Sequence, residues 1–329
     1  MRFVIMKRSQ SILHTIGWMS IFAMSGCNTQ KNNSDSALVK SKYVHQYGVE
    51  VDTPDDWNER GASGTIEKKL KNGVAVSESW KNGQKDGLWT YSFPHSAQIS
   101  KKEFYDKDAL QWTMYQFPSG VPYKQETNYP GGVVMVSTWY EDGTPRSKEE
   151  YLGAAIISGE YFSPKQQVEA EVHGRGGIRI CRDQHGQLLS KEIISDGFKE
   201  TEEQFHINGM PRAYIPFSNG KVHGLKRTFY PNGEPKTVET WQNGMLDGVL
   251  IVFQNAEKIK EVPYTQNQKN GIEKIFSSPS EMVVEEISWK DDKRHGKSSV
   301  FIEDRVIEEW YFDGKKVSRS QFLEMDRGV

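Results

Sequence analysis

An aromatic residue returns about every 12 positions along most of this chain. The clearest run is Phe205, Phe217, Phe229, Trp241, Phe253, Tyr264, Phe276, Trp289 and Phe301, and an earlier run keeps the same beat through Trp80, Phe93, Tyr105, Phe117, Tyr129, Tyr140 and Tyr151. A fixed internal period marks a repeat architecture, in which each unit buries its apolar side only by stacking on its neighbours. The period therefore constrains the fold before any single residue does. It points away from an enzyme domain built around one thick core.

A second landmark sharpens the unit. A glycine follows an aromatic by seven residues at Trp80 to Gly87, Phe217 to Gly224, Trp241 to Gly248, Tyr264 to Gly271 and Trp289 to Gly296. The next aromatic, at Phe229, Phe253, Phe276 or Phe301, comes five residues after the last four of these glycines. The full unit is thus about 24 residues long. Asn-Gly stands at 72-73, 82-83, 208-209, 219-220, 232-233, 243-244 and 270-271, and Asp-Gly at 86-87, 142-143, 196-197, 247-248 and 313-314. Both dipeptides tolerate positive φ and favour tight hairpins. Between them lie short runs rich in Thr, Val, Ile and aromatics, such as Lys236–Trp241 and Leu250–Phe253, which read as strands. A 12-residue beat holds a strand of roughly six residues and a turn. The expected fold is all-β: an elongated antiparallel meander of tandem hairpin repeats, about 20 strands in all.

The stretches Trp80-Lys-Asn-Gly-Gln-Lys-Asp-Gly87, Trp241-Gln-Asn-Gly-Met-Leu-Asp-Gly248, Trp289-Lys-Asp-Asp-Lys-Arg-His-Gly296 and Phe217-Ser-Asn-Gly-Lys-Val-His-Gly224 resemble the MORN repeat. They look most like its bacterial variant, found in the YwqK-type antitoxin-like family. The resemblance covers roughly Gly64 to Phe322 and is weakest at 153–200, where Arg175-Gly-Gly-Ile-Arg-Ile-Cys181 breaks the pattern. It implies a sheet-forming interaction module. It also carries the expectation of an antitoxin or immunity-like role, since many proteins with these repeats bear that label.

The first 26 residues read as a signal segment. Arg2, Lys7 and Arg8 form a basic start, and a mostly apolar run from Ser11 leads to Met24-Ser25-Gly26 and then Cys27. A small-residue site ending in cysteine resembles a bacterial lipoprotein signal, which implies lipidation of Cys27 and attachment to a membrane; the alternative is an ordinary secretory peptide cleaved nearby. Residues 27–42 then read as a lipidated cysteine and flexible tether, polar and poor in apolar groups. Asn28 after the cysteine resembles lipoproteins sent to the outer membrane. The array reads as a first repeat segment at 43–152 with a less regular lead-in to residue 63, an irregular repeat segment at 153–200, and a second repeat segment at 201–329, with one continuous ribbon and two separate segments both open at this point.

Hydrophobic residues make up only 36% of the chain while aromatics reach 12%, which suits a thin sheet better than a thick aliphatic core. Net charge is −2, and loss of Arg2, Lys7 and Arg8 with the signal leaves −5, so no basic footprint for nucleic acid is present. With Cys27 lipidated, Cys181 stands alone and reads as a buried filler.

Catalytic motifs are missing: there is no Gly-x-Ser-x-Gly, no His-Glu-x-x-His and no phosphate loop. His223 and His295 occupy the turn position that Asp86 and Asp247 hold in other copies. The pairs Glu149-Glu150, Glu202-Glu203, Glu285-Glu286 and Glu308-Glu309 read as solvated strand faces, because neighbours on a strand point to opposite sides. The periodic aromatics are expected to pack the repeats rather than to form an exposed stripe. No cofactor or metal site is expected. The leading expectation is a non-enzymatic, membrane-anchored scaffold for an unidentified envelope or periplasmic protein. The alternatives are the immunity role, and a carbohydrate-binding or hydrolytic protein using His173, Arg175, Cys181, Asp183 and His185.

Overall fold

The computed structural model describes residues 37–327, which form one open antiparallel sheet of 29 strands with a short helix near each end. Six strands are stubs of two or three residues, Glu50–Val51, Gln84–Lys85, Lys221–Val222, Gln268–Lys269, Lys293–Arg294 and Lys315–Val317. Setting them aside leaves 23 long strands, each paired with the next in sequence. The elongated all-β meander read from the aromatic beat is therefore the architecture.

The two edges of the sheet carry different turns. On one edge the pairs Asn82-Gly83, Asp196-Gly197, Asn219-Gly220, Asn243-Gly244 and Asp313-Gly314 have positive φ at both residues, as two-residue hairpins demand. On the other edge most loops are longer, with two-residue turns at 255-256 and 303-304. Gly120, Gly143, Gly209 and Gly233 donate to the carbonyls of Phe117, Tyr140, His206 and Tyr230 at 2.8–3.0 Å, closing a turn with a bulge. Because hairpins alternate between edges, the aromatics also alternate. Trp80, Phe217, Trp241, Tyr264 and Trp289 lie beside the tight turns, whereas Phe229, Phe253, Phe276 and Phe301 end strands on the other edge.

Not every Asp-Gly is a turn. Gly87 and Gly248 sit inside strands at φ +100° and +129°, directly opposite Tyr105 and Tyr264. Gly224, Gly271 and Gly296 are likewise opposite Trp241, Trp289 and Tyr311. The glycine re-aims the chain after each tight hairpin so that the next strand can pair. This explains its period: it is a kink rather than a second turn, which corrects the reading of 86-87, 247-248 and 270-271 as hairpin dipeptides.

The kink allows successive tight turns to hang on one another. Gly83 donates to the Ala62 carbonyl, Asp108 to Lys85, Gly244 to Val222, Asn267 to Leu246, Asp292 to Lys269 and Gly314 to Arg294, all at 2.8–3.1 Å. Asp108, Asn267 and Asp292 return a side-chain acceptor to the backbone N–H of Lys85, Leu246 and Lys269 at 2.8 Å. A hydrogen-bonded spine thus runs along one edge, which ties each repeat to the one before it.

Three boundaries differ from the sequence reading. The first strand, Leu38–His45, begins inside the stretch assigned to the tether and pairs with Gly64–Leu70. Segment 153–200 is continuous sheet, with strands Ala155–Phe162, Val168–His173, Gly176–Arg182, Leu188–Ser195 and Phe198–Phe205 each paired with the next, so the sheet runs through it without interruption. The lead-in to residue 63 holds helix α1 (Pro54–Glu59), started by a Thr53 side-chain cap on the Asp56 N–H. Trp57 of α1 packs with Val51, Ala62 and Ile66, covering the first strands. At the other end helix α2 (Arg319–Arg327) docks Phe322 against Trp310 at 5.2 Å and His295 at 5.4 Å. Both ends are capped as stacked repeats require. Cys27 and the signal segment lie outside the described residues.

Candidate functional site

Residues directly opposite one another in a sheet share a face, so the register identifies one row across the midline. It runs through Ile66, Glu78, Trp89, Glu103, Thr113, Glu126, Val136, Glu149, Gly159 and Val172, and resumes with Arg179, Glu192, Glu202, Ile215, Lys226, Glu239, Leu250, Val262, Glu273, Ile287, Ser298 and Glu309. Many of the buried residues belong to this row, including the carboxylates Glu78, Glu149, Glu192 and Glu273. The row is thus a buried seam that is partly ionic. The aromatics flank the row half-buried instead of forming it.

The carboxylates of the row are paired with a cation, and several also accept from an aromatic side chain two residues on. In the first repeat Lys68 reaches Glu78 at 2.7 Å and the Trp80 indole N–H donates to the same carboxylate at 3.1 Å. Lys226, Trp241 and Glu239 repeat this at 2.9 and 2.8 Å. Tyrosine replaces tryptophan where Tyr151 donates to Glu149 at 2.7 Å and Tyr311 to Glu309 at 2.6 Å. The lysines also lie on aromatic faces, with Lys226 5.1 Å from the Trp241 ring and Lys269 4.4 Å from Trp289. The Trp289 indole N–H has no acceptor, because Ile287 stands where Glu78 and Glu239 stand in other copies. The sequence signal for the unit was a glutamate two residues before a tight-turn aromatic, and the reading of periodic aromatics and glycines passed over it.

Burial alone would raise the pKa of these carboxyls. At Glu149 the Arg179 charge and hydrogen bonds from Arg179 and Tyr151 outweigh burial and hold it below the usual carboxylate range. Burial is likewise overcome at Glu103 by Lys101, Tyr91 and Tyr105, at Glu239 by Lys226 and Trp241, and at Glu273 by Lys269 and Lys260. Burial and the neighbouring Glu103 push the Tyr105 hydroxyl up to about 12. Glu103, Glu149, Glu239 and Glu273 are therefore ionised and paired near neutral pH.

Segment 153–200 contributes a cation that reaches across several strands. Arg179 crosses from its strand to Glu149, 30 residues back, at 2.7 Å and reaches Glu192 at 3.1 Å. Gly159, on a strand between, leaves room for Tyr161, since a Cβ there would lie 2.5 Å from the Tyr161 hydroxyl; Gly177, on the strand of Arg179 itself, lets the backbone of Glu171 and Val172 approach closely. Ile156, Tyr161, Val172 and Ile194 form a closed cluster beside the ion pairs. Beside that cluster lies an open cavity of about 570 Å³, bordered by Tyr151, Ile156, Arg179, Phe198 and Phe217. Glu149 is buried and ion-paired, which corrects its reading as a solvated face; Glu150 on the opposite side accepts from Ser158.

The polar residues singled out in this segment do not converge. His173 and Arg175 flank a tight turn, with His173 bonded to Glu171 at 3.1 Å. Asp183 and His185 lie at the far end of the Gly176–Arg182 strand, where Asp183 caps its own turn by accepting from the backbone of His185 and Gln187. Cys181 is half-buried between them, its thiol pushed up by burial. His223 and His295 are not turn residues; their Nδ1 atoms accept from the backbone N–H of Asn243 and Asp313 in the next turn at 3.4 and 3.3 Å.

The other face carries an exposed aliphatic after four of the five repeat glycines, Leu88, Leu225, Val249 and Ile272, while Lys297 follows Gly296. Their register partners are Phe104, Thr240, Pro263 and Ser288. Phe104 stacks on Trp112 with ring centroids 5.8 Å apart. The repeat thus lays a semi-apolar row along the outer surface.

No protein-family model matches the chain, and no curated protein sequence matches it.

Proposed function

We propose that this chain is a non-enzymatic, lipid-anchored scaffold that captures a protein at a bacterial cell envelope. The observation that carries this reading is the exposed row Leu88, Leu225, Val249 and Ile272, repeated in register on one continuous sheet. Such a surface suits a broad, shallow interface better than a small-molecule site. The sequence supports the anchor: a basic and apolar start leads to Ser25-Gly26-Cys27, and the chain resembles MORN-type repeat proteins. The row is held on rigid strands, so a partner loses little to ordering it.

The test is cross-linking in living cells, capture through a C-terminal tag and mass spectrometry. Two variants serve as controls, Cys27→Ala and the double substitution Leu225→Asp with Val249→Asp. One dominant partner is expected, lost when the anchor cysteine is replaced and lost again when the row is charged. A toxin in that place gives the scaffold an immunity role. The same proteins recovered from all three chains would overturn the reading.

A further inference from the structure

Two cavities meet at Phe198. The first, of about 570 Å³, is walled by Tyr151, Ala154, Ile156, Ile194 and Phe217 over the ion-paired floor. The second, of about 470 Å³, opens beside Asp196, Glu200 and Asn219. Phe198, Lys199, Phe217 and Gly220 border both, so the two are chambers of one groove. Phe198 is half exposed on the divide. Lys199 does not offer a free cation there: its ammonium contacts Glu192 at 3.5 Å, bonds Glu202 and lies 4.4 Å from the Phe217 ring.

The chambers differ in chemistry. The first presents aromatic and aliphatic walls, and its floor charges are already paired with one another. In the second, Glu200 is an exposed carboxylate, and Asp196 is 85% exposed with only a 3.6 Å contact to Arg175. Charge balance in the floor adds to this, because Arg179 and Lys199 face the three carboxylates Glu149, Glu192 and Glu202. The groove is apolar on one side and negative on the other. It lies where the Trp-x-Asn-Gly pattern is broken, between the tight turns at 153-154, 196-197 and 219-220.

We infer that this groove binds a short extended peptide segment of a partner, seating an aromatic or large aliphatic side chain in the first chamber and an adjacent Lys or Arg beside Asp196 and Glu200. This narrows the scaffold reading to a segment and a ligand chemistry, and in a cell it rests on that reading. Apolar burial supplies the affinity and the carboxylates choose the neighbour. The floor stays rigid because its carboxylates and cations hold one another, so binding does not require the row to rearrange.

The test pans a random peptide library displayed on phage against the full chain, in parallel with Phe198→Asp and Glu200→Lys. Both side chains are exposed, and circular dichroism confirms that the variants keep the β spectrum. The wild type is expected to enrich an apolar residue next to Lys or Arg. Phe198→Asp should weaken the selected peptide at least about tenfold. Glu200→Lys should select peptides without the basic residue. Enrichment that ignores both substitutions, or no enriched motif, overturns the groove. Repeating the cell capture with Phe198→Asp separates the two proposals: a partner retained by that variant leaves the scaffold standing without the groove. A peptide motif found with no cellular partner leaves the groove standing without the scaffold.

Discussion

At the scale of single residues, the repeat glycine does what no other residue can. Gly248 holds φ +129°, and a Cβ there would meet the Thr240 Cβ at 2.7 Å. Gly83 also has positive φ, +74°, but open space around it. Gly248→Ala combines backbone strain with a clash and should cost more than about 2 kcal/mol. Gly83→Ala carries the left-handed penalty alone, about 1 kcal/mol. Urea midpoints of the two variants decide it, and equal losses would mean that the kink is not the constraint proposed here. The same scale gives Cys181 a clear expectation. Burial raises its thiol pKa and so lowers the thiolate fraction, and the thiolate is the reacting species. In a Cys27→Ala background a thiol reagent at pH 8 should leave native protein unmodified and label it once in urea. Rapid labelling of the native chain would contradict the burial.

At the scale of elements, the sheet is built from units in which one carboxylate organises two strands. Glu149 is the most heavily held, by Arg179 and Tyr151. Glu149→Ala leaves the guanidinium with Glu192 alone in a largely buried place, and should cost about 3 kcal/mol. Chemical unfolding measures this, with Glu308→Ala as the exposed control. A loss below 1 kcal/mol would show that the packing of segment 153–200 does not depend on the crossing pair. This unit also shows what was legible in the sequence. Strand spacing, turn dipeptides and fold class could be read because aromatics, Asn-Gly pairs and glycines impose backbone requirements locally. The ion-paired row could not be read from pairs such as Glu149-Glu150, because which carboxylate is buried depends on register with strands up to 30 residues away. Segment 153–200 was misjudged for a related reason. It lacks the Trp-x-Asn-Gly spacing, yet Gly159 and Gly177 satisfy the same sheet by leaving space for the Tyr161 side chain and for the backbone at Glu171 and Val172. The glycine kinks looked like turns because Asp-Gly favours positive φ in either setting. Helix α2 was hidden for a simpler reason: nine residues at the chain end carry only one buried anchor, Phe322.

At the scale of the whole molecule, stability is spread along one axis, since each long strand contacts mainly its neighbours and the tight-turn spine links each repeat to the last. The ionised row makes that stability depend on pH throughout the array. Glu103, Glu149, Glu239 and Glu273 come from well-separated strands, and each is held below its ordinary pKa because its cation and hydrogen-bond donors outweigh burial. A carboxyl with a lowered folded-state pKa binds its proton less readily folded than unfolded. Its contribution is complete above the unfolded value, about 4.3 for glutamate, and disappears as pH falls through the folded value. The melting temperature should therefore hold steady from pH 7 to about pH 5 and fall steeply below about pH 4. Half-buried pairs are screened less than surface ones, so moderate salt at pH 7 should move the midpoint little. Glu273→Gln and Glu239→Gln together should lower the pH 7 midpoint and flatten the acid limb, since the doubly substituted chain has fewer protons to take up on unfolding. Thermal unfolding by circular dichroism from pH 7 to pH 3 reads both effects. An acid limb of unchanged slope in the double variant would place the acid sensitivity outside the midline row.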